Sequence, residues 1–390
     1  MVATVLRSAR RARNPAGGEV NPPDAATMQV GATWSAFRPS STMDSTLAAS
    51  PVQAQHIINF GAGSNLNVTE GGAITWSELD PFVQDLIDAG ATTPMLILCN
   101  GPVWSRAFPE DPQAAIHPSK VTSWANLCAA IASRYDGTAG RPNIEHFVVW
   151  NEMRGYYVQP IGGQYRPGWE SVWGSSALSN EWDSIHYTQM YNAVYAAIKA
   201  VRPTVNVGGP YVPIDSGAVA ADISGGADAS AVTFPGGVID QRALDVFTYF
   251  DANATGYDFL CCDGGIENKY FGTPGSSRMP QSPALMIQKF WKLWDWVRDN
   301  IHATVPLYWM ETYIHVSIDD WAYTLSQVED LYIQMCREIQ ENVLNPNGAM
   351  LTWMSPHFRP QLVARSSDTV WANTTSGFKA KVDTWHQSGV

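Results

Sequence analysis

Short, nearly unbroken apolar runs alternate along the chain with longer stretches whose apolar positions recur at helical spacing. The runs are Met28–Trp34, Gln55–Phe60, Pro94–Asn100, Ile144–Trp150, Val205–Gly209, Tyr257–Cys262, Val305–Met310 and Ala349–Met354. Runs of this length predict strands buried on both faces, as in a parallel sheet. Between them, Trp124, Leu127, Cys128, Ile131, Ala132 and Tyr135 follow the i, i+3, i+4, i+7 pattern of an amphipathic helix. Tyr187, Met190, Tyr191, Val194, Tyr195 and Ile198 repeat it, as do Leu325, Val328, Tyr332, Met335 and Ile339. Thr75 with Glu78 predicts a capping box at the start of one helix. Ser282 and Pro283 suit the N-cap and first position of another.

Strand starts recur roughly every 46 residues, and eight strand–helix alternations predict an α/β fold, a (β/α)₈ TIM barrel, as a single domain over 28–390. An open doubly wound sheet would call for a phosphate-binding glycine loop after an early strand. Gly61 and Gly63 follow the second run, but the third glycine is missing. Residues 1–27, rich in Arg, Pro, Gly and Ala and without periodicity, read as a flexible basic tail carrying Arg7, Arg10, Arg11 and Arg13.

Composition narrows the partners. The 390 residues carry a net charge of −12, which disfavours nucleic acid, whose phosphates an acidic surface repels. No segment reaches 18 consecutive apolar residues, so no membrane span is expected. After the arginines come Asn14, Pro15, Gly17 and Gly18 rather than an apolar stretch, so no signal peptide is read. The expectation is a cytoplasmic protein, one released by lysis, or a secreted one whose leader has been removed. Five cysteines, with Cys261 and Cys262 adjacent in an apolar run, read as buried thiols rather than a disulfide framework. With no C-x-x-C, H-x-H or H-E-x-x-H, neither a metal nor a cofactor is expected. Tryptophan stands out at 16 copies, and its flat amphipathic ring suits both cores and sugar faces.

Candidate chemistry lies where a barrel of this kind keeps it, at the C-terminal ends of the strands. The fourth run ends in Trp150-Asn151-Glu152 and the seventh in Met310-Glu311-Thr312. A carboxylate after bulky apolar residues is costly in a core and well placed at a barrel mouth. Glu311 lies 159 residues beyond Glu152, three strand–helix units on, so the two carboxylates would face each other across the mouth. Such a pair is the equipment for glycosidic bond cleavage. A separation of about 5–5.5 Å gives retention and about 6.5–9.5 Å inversion.

Val149-Trp150-Asn151-Glu152, Val207-Gly208-Gly209-Pro210 and the Glu after the seventh strand resemble the clan of retaining (β/α)₈ glycoside hydrolases over about 28–360, most closely family 39, which includes β-xylosidases and α-L-iduronidases. The resemblance implies Glu152 as acid/base, Glu311 as nucleophile and Asn151 as the partner of the sugar 2-hydroxyl. It also implies Trp353 as a platform under the sugar. Met153 stands where a proline often follows the acid/base, and Cys261-Cys262-Asp263 replaces the usual aromatic or His neighbour of the nucleophile.

Asn100, Trp104, Tyr313, His315 and His357 are further strand-end candidates for sugar binding, and Asp263 is either a cleft acid or a turn former. Tyr156, Tyr157, Tyr165, Trp169, Trp173 and Trp182 on the long loop after the fourth strand form either a sugar-stacking row or a small core of their own. The loop 214–237, rich in Gly, Ala and Ser, reads as a mobile rim. The expected function is a retaining hydrolase of β-linked poly- or oligosaccharide with a carbohydrate substrate as partner. The alternative is a non-catalytic carbohydrate-binding barrel serving as a structural or attachment component.

Overall fold

The computed structural model describes residues 29–35, 53–59, 69–77, 79–88, 94–156, 169–173, 182–214, 216–217, 229–234, 237–265, 288–302, 304–313, 330, 334 and 352–357. All eight apolar runs are strands: β1 (Gln29–Ser35), β2 (Gln53–Asn59), β3 (Met95–Cys99), β4 (His146–Val149), β5 (Asn206–Pro213), β9 (Phe259–Gly265), β10 (Leu307–Tyr313) and β11 (Thr352–His357). They pair in parallel in the order β1-β11-β10-β9-β5-β4-β3-β2, and β1 closes on both β2 and β11. The fold is the α/β TIM barrel. Closure leaves no strand edge, and the described strands β3, β4 and β5 are buried along nearly their whole length.

Two of the described helices, over 121–134 and 184–201, form on the apolar stripes that predict them. The described helices are α1 (Leu79–Asp88), α2 (Val121–Arg134), the single-turn α3 (Trp169–Trp173), α4 (Ser184–Val201), α5 (Gln241–Asn253) and α6 (Gln288–Asn300). In α2 the stripe Trp124, Leu127, Cys128, Ile131 and Ala132 is buried; in α4 it is Tyr187, Met190, Tyr191, Val194 and Ile198. Asp183 caps α4, accepting from His186 N–H at 3.0 Å, and Asp240 caps α5. One start signal comes out differently. Helix α1 begins at Leu79, three residues past the position a Thr75 cap would require, with Asp80 and Pro81 in its first turn. Ser282-Pro283, the stripe from Leu325 to Ile339 apart from Asp330 and Gln334, and the tail 1–27 lie outside the described residues.

The loop after β5 carries a correction. Within it β6 (Ser216–Gly217), β7 (Ala229–Phe234) and β8 (Gly237–Asp240) form an antiparallel sheet in the order β6-β8-β7, and β7 packs against α6. The strand formers Val232, Thr233 and Phe234 of β7 and Val238 and Ile239 of β8 carry this pairing. A buried Arg242–Asp240 ion pair closes the junction with α5.

The floor of the barrel is filled. Phe259 and Tyr308 stack at 4.2 Å between ring centres, and His146 lies 6.2 Å from each. Burial pushes the His146 imidazole down to about 4, so it is neutral at ordinary pH, and its Nε2 meets Asn206 Nδ2 at 3.1 Å. This packed end lies opposite the C-terminal ends of the strands, where barrels of this type bind their ligands.

The segment before β3 is tied to α2 by charge. Arg134 forks onto Asp80, Tyr135 Oη donates to Asp80 Oδ1 at 3.0 Å, and the guanidinium lies 4.3 Å above the Trp76 ring. The Arg134 hydrogen bonds hold the Asp80 carboxyl below its ordinary 3.8. Its contribution to stability is therefore present above the ordinary carboxylate range and is lost as pH falls through the lowered folded-state value. Asp80→Asn is expected to lower Tm at neutral pH and to flatten its fall on the acid side. Melting curves across acid and neutral pH check this, and parallel wild-type and variant profiles would refute it.

Candidate active site

Strand β4 ends at Val149, and the chain then makes a turn whose geometry is unusual for its residue types. Trp150 has φ 76°, Glu152 φ 47° and Met153 φ 49°; at the end of β3, Asn100 has φ 53°. Left-handed backbone at such residues costs about 1–3 kcal/mol each and persists only where the surroundings enforce it. Four of the five described non-glycine residues with positive φ sit at these two neighbouring strand ends; the fifth, Ala139, lies beyond α2. The left-handed non-glycine residues among those described are thus concentrated at one end of the barrel.

The enforcement is aromatic. The Trp150 indole is fully buried, edge-on to Trp124 of α2 at 5.9 Å and to Tyr156 at 5.6 Å. Tyr156 packs on Tyr187 of α4 at 5.6 Å, and Tyr187 Oη donates to the Val149 carbonyl at 2.8 Å. Trp150 N–H donates to Leu98 O at 2.9 Å, and its indole N–H to Arg154 O at 2.5 Å. Gly155, at φ 79°, closes the turn against the backbone of the β3 loop; a Cβ there would come within 2.3 Å of Ala115 N. Trp150→Ala is expected to cost about 3–5 kcal/mol of stability. Equilibrium denaturation measures this, and a loss below about 1 kcal/mol would show that the turn does not depend on the ring.

Held by this turn, Asn151 is buried, and its Oδ1 has no hydrogen-bond partner among the described residues. Glu152 is 12% exposed and contacts Arg154 Nε through Oε2. Three strands round the barrel, through β5 and β9, lies β10 with Glu311. Both ladders flanking β10 shift register beside Glu311: between Trp309 and Glu311 against β9, and between Trp309 and Thr312 against β11. Such irregularities re-aim side chains and recur next to functional sites. The strand topology therefore places Glu152 and Glu311 at the same end of the barrel, on strands three apart.

The other sequence candidates divide. Asn100 is buried at the end of β3, and Trp104 is half-buried on the short turn Val103–Ser105 that follows. Tyr313 and His357 are register partners at the ends of β10 and β11. His315 lies outside the described residues. Trp353 needs correction as a strand-end residue. The eighth apolar run ends at Met354, yet β11 continues to His357. Trp353 is therefore the second residue of the strand, level with Tyr308 of the barrel floor. Asp263 is a buried strand residue of β9, in register with Glu311, and not a turn former.

The loop aromatics that are described form a small core. Tyr156 and Trp182 are buried, and Trp173 packs against Phe108 at 6.1 Å and His186 at 5.8 Å. Trp124, Trp150, Trp294 and Trp309 are likewise packing residues. Cys99, Cys128, Cys261 and Cys262 are buried free thiols, and burial pushes Cys128, Cys261 and Cys262 well up. Among the described residues no three His, Cys, Asp or Glu side chains stand close enough to hold a metal ion. Sequence reading missed Arg154, a charge on a short turn with no periodicity to mark it.

The arrangement is that of a closed parallel barrel with a filled floor and carboxylates at its mouth. Solved structures share that fold. A monomeric β-xylosidase from Caulobacter crescentus CB15 superposes with a TM-score of 0.52 at 14% identity, covering 86% of this chain and 61% of its own. A glucosidase from Croceicoccus marinus gives 0.53 at 12% identity, covering 96% and 69%. A bacterial orthologue of human α-L-iduronidase gives 0.53 at 16%, covering 88% and 50%, so the chain spans half to about two thirds of these proteins' lengths. No family model matches the sequence, and no curated protein matches it significantly.

Proposed function

We propose that the chain is a retaining glycoside hydrolase acting on β-linked poly- or oligosaccharide, with Glu152 as acid/base and Glu311 as nucleophile. The observation that carries this reading is the strained turn that presents Asn151 and Glu152 at the end of β4, three strands from Glu311 on β10. The likeness of the fold to a β-xylosidase, a glucosidase and an iduronidase orthologue supports the general class, and the Trp-Asn-Glu and Val-Gly-Gly-Pro motifs support placement near family 39.

In the first step Glu152 gives its proton to the leaving oxygen as the glycosidic bond breaks, and an oxygen of Glu311 bonds to the anomeric carbon. In the second, Glu152 takes a proton from water, whose oxygen displaces Glu311 from that carbon, regenerating both carboxyls. Glu311 must start ionised, and Glu152 must start with its proton. The unpaired Oδ1 of Asn151 is an acceptor positioned for a sugar hydroxyl. Asn100, Trp104, Tyr313 and His357 are the proposed lining of the sugar site.

A panel of aryl glycosides and plant and microbial polysaccharides tests this, with product configuration followed by NMR. Release of sugar with retained anomeric configuration supports the proposal, and inversion refutes the two-step mechanism. Binding across the panel without turnover would instead favour the non-catalytic carbohydrate-binding barrel.

A further inference from the structure

Glu152 has a neighbour that works against a pure proton donor. Arg154 lays its Nε against Glu152 Oε2, and the contact is unequal: the carboxylate side chain is 12% exposed and the guanidinium side chain 46%. The carboxyl thus sits inward, with the more exposed cation against it. Arg154 is also fixed through its backbone. Its N–H donates to Asn151 O at 2.9 Å, its carbonyl accepts the Trp150 indole N–H at 2.5 Å, and Gly155 follows packed against residues 113–115. The cation therefore belongs to the same rigid turn as the carboxylate it touches.

A cation in contact with a carboxylate favours its ionised form. The proposed mechanism uses Glu152 in both forms, so this contact has opposite signs in the two steps. It opposes the first, in which Glu152 must carry a proton. It assists the second, in which the ionised carboxylate takes a proton from water while the water oxygen bonds to the anomeric carbon. There the ester bond to Glu311 breaks, and its electron pair returns to that carboxylate. We infer that Arg154 is a positioning residue that holds Glu152 as the base, shifting the balance of the two steps toward rapid breakdown of the glycosyl-enzyme. This rests on the assignment of Glu152 as acid/base. Among the described residues, other charged groups at this end include Asp183 and His186, paired at 2.6 Å where α4 begins, Asp263 on β9 with Lys289 nearby, Arg106 on the loop after β3, the Asp240–Arg242 pair at the start of α5, and Glu311 on β10.

The test uses the full chain and the dinitrophenyl and phenyl glycosides of whichever sugar the panel identifies. With the dinitrophenyl leaving group the second step limits kcat; with phenyl, kcat/KM reports the first. Arg154→Gln is expected to lower kcat on the dinitrophenyl glycoside about tenfold, because Glu152 loses the cation that favours its ionised form. A pre-steady-state burst of dinitrophenol should accompany this. On the phenyl glycoside kcat/KM should hold or rise, and Arg154→Lys, which keeps the charge, should restore wild-type kcat. Equal falls in both parameters in the Gln and Lys variants would reduce Arg154 to a structural role, and no change in either would also overturn the inference. Glu152→Ala separates the two levels. If it retains full activity on the phenyl glycoside, or if no glycoside is turned over at all, the assignment of Glu152 fails and this role with it. If Glu152→Ala is inactive there while Arg154→Gln behaves as wild type, only the role of Arg154 falls.

Discussion

Glu311→Gln is expected to abolish turnover, by on the order of 10⁴-fold or more, while leaving the barrel folded. The amide is nearly isosteric but cannot form the ester that divides the reaction into two steps. Position 311 also lies at a register irregularity, where backbone pairing is already interrupted, so a neutral side chain should cost little stability. The measurement is kcat on an activated aryl glycoside beside a thermal melt. A companion experiment treats the wild type with a fluorinated sugar bearing a good leaving group, which slows the second step. One glycosyl mass should then appear on the peptide containing Glu311 and be missing in the Gln variant. Activity near wild type, or a label on another carboxylate, would remove Glu311 from the mechanism.

Glu152→Ala is expected to behave differently, and the contrast is diagnostic. A general acid matters in proportion to how badly the leaving oxygen needs a proton. On unactivated glycosides the loss should be about 10²–10⁴-fold, while dinitrophenyl glycosides should still load the enzyme. The glycosyl-enzyme then waits for a base it lacks. Azide needs no base, so it should attack the anomeric carbon, release Glu311 and restore kcat, giving a glycosyl azide of retained configuration. Uniform loss on all substrates without azide rescue would make Glu152 a structural carboxylate.

The barrel was legible because strands buried on both faces leave long apolar runs, and the amphipathic stripes of α2 and α4 separate cleanly from them. Boundaries were less legible, because apolar runs end before their strands do: β5 runs on from Gly209 to Pro213, and β11 from Met354 to His357. The β6-β8-β7 sheet was not read because its strands are short and their Val232–Phe234 and Val238–Ile239 stretches are set among Gly, Ala and Ser. At the site, Glu152 was readable as a carboxylate following an apolar run. The strained turn was not, since Trp, Glu and Met give no sign of left-handed backbone as Gly155 does. Asp263 stood open as a cleft acid or a turn former, and only the pairing of β9 with β10 excludes the turn.

The Trp124–Trp150 pair also gives the site an optical signature. Two buried indoles held edge-on at 5.9 Å are close enough for their electronic transitions to couple, which produces a paired band in circular dichroism. One indole belongs to α2 and the other to the turn bearing Glu152. The intensity of that band therefore registers whether this turn is seated on the helix, separately from the backbone signal of the barrel as a whole. The loosening of the turn that carries Glu152 can in this way be followed by light alone.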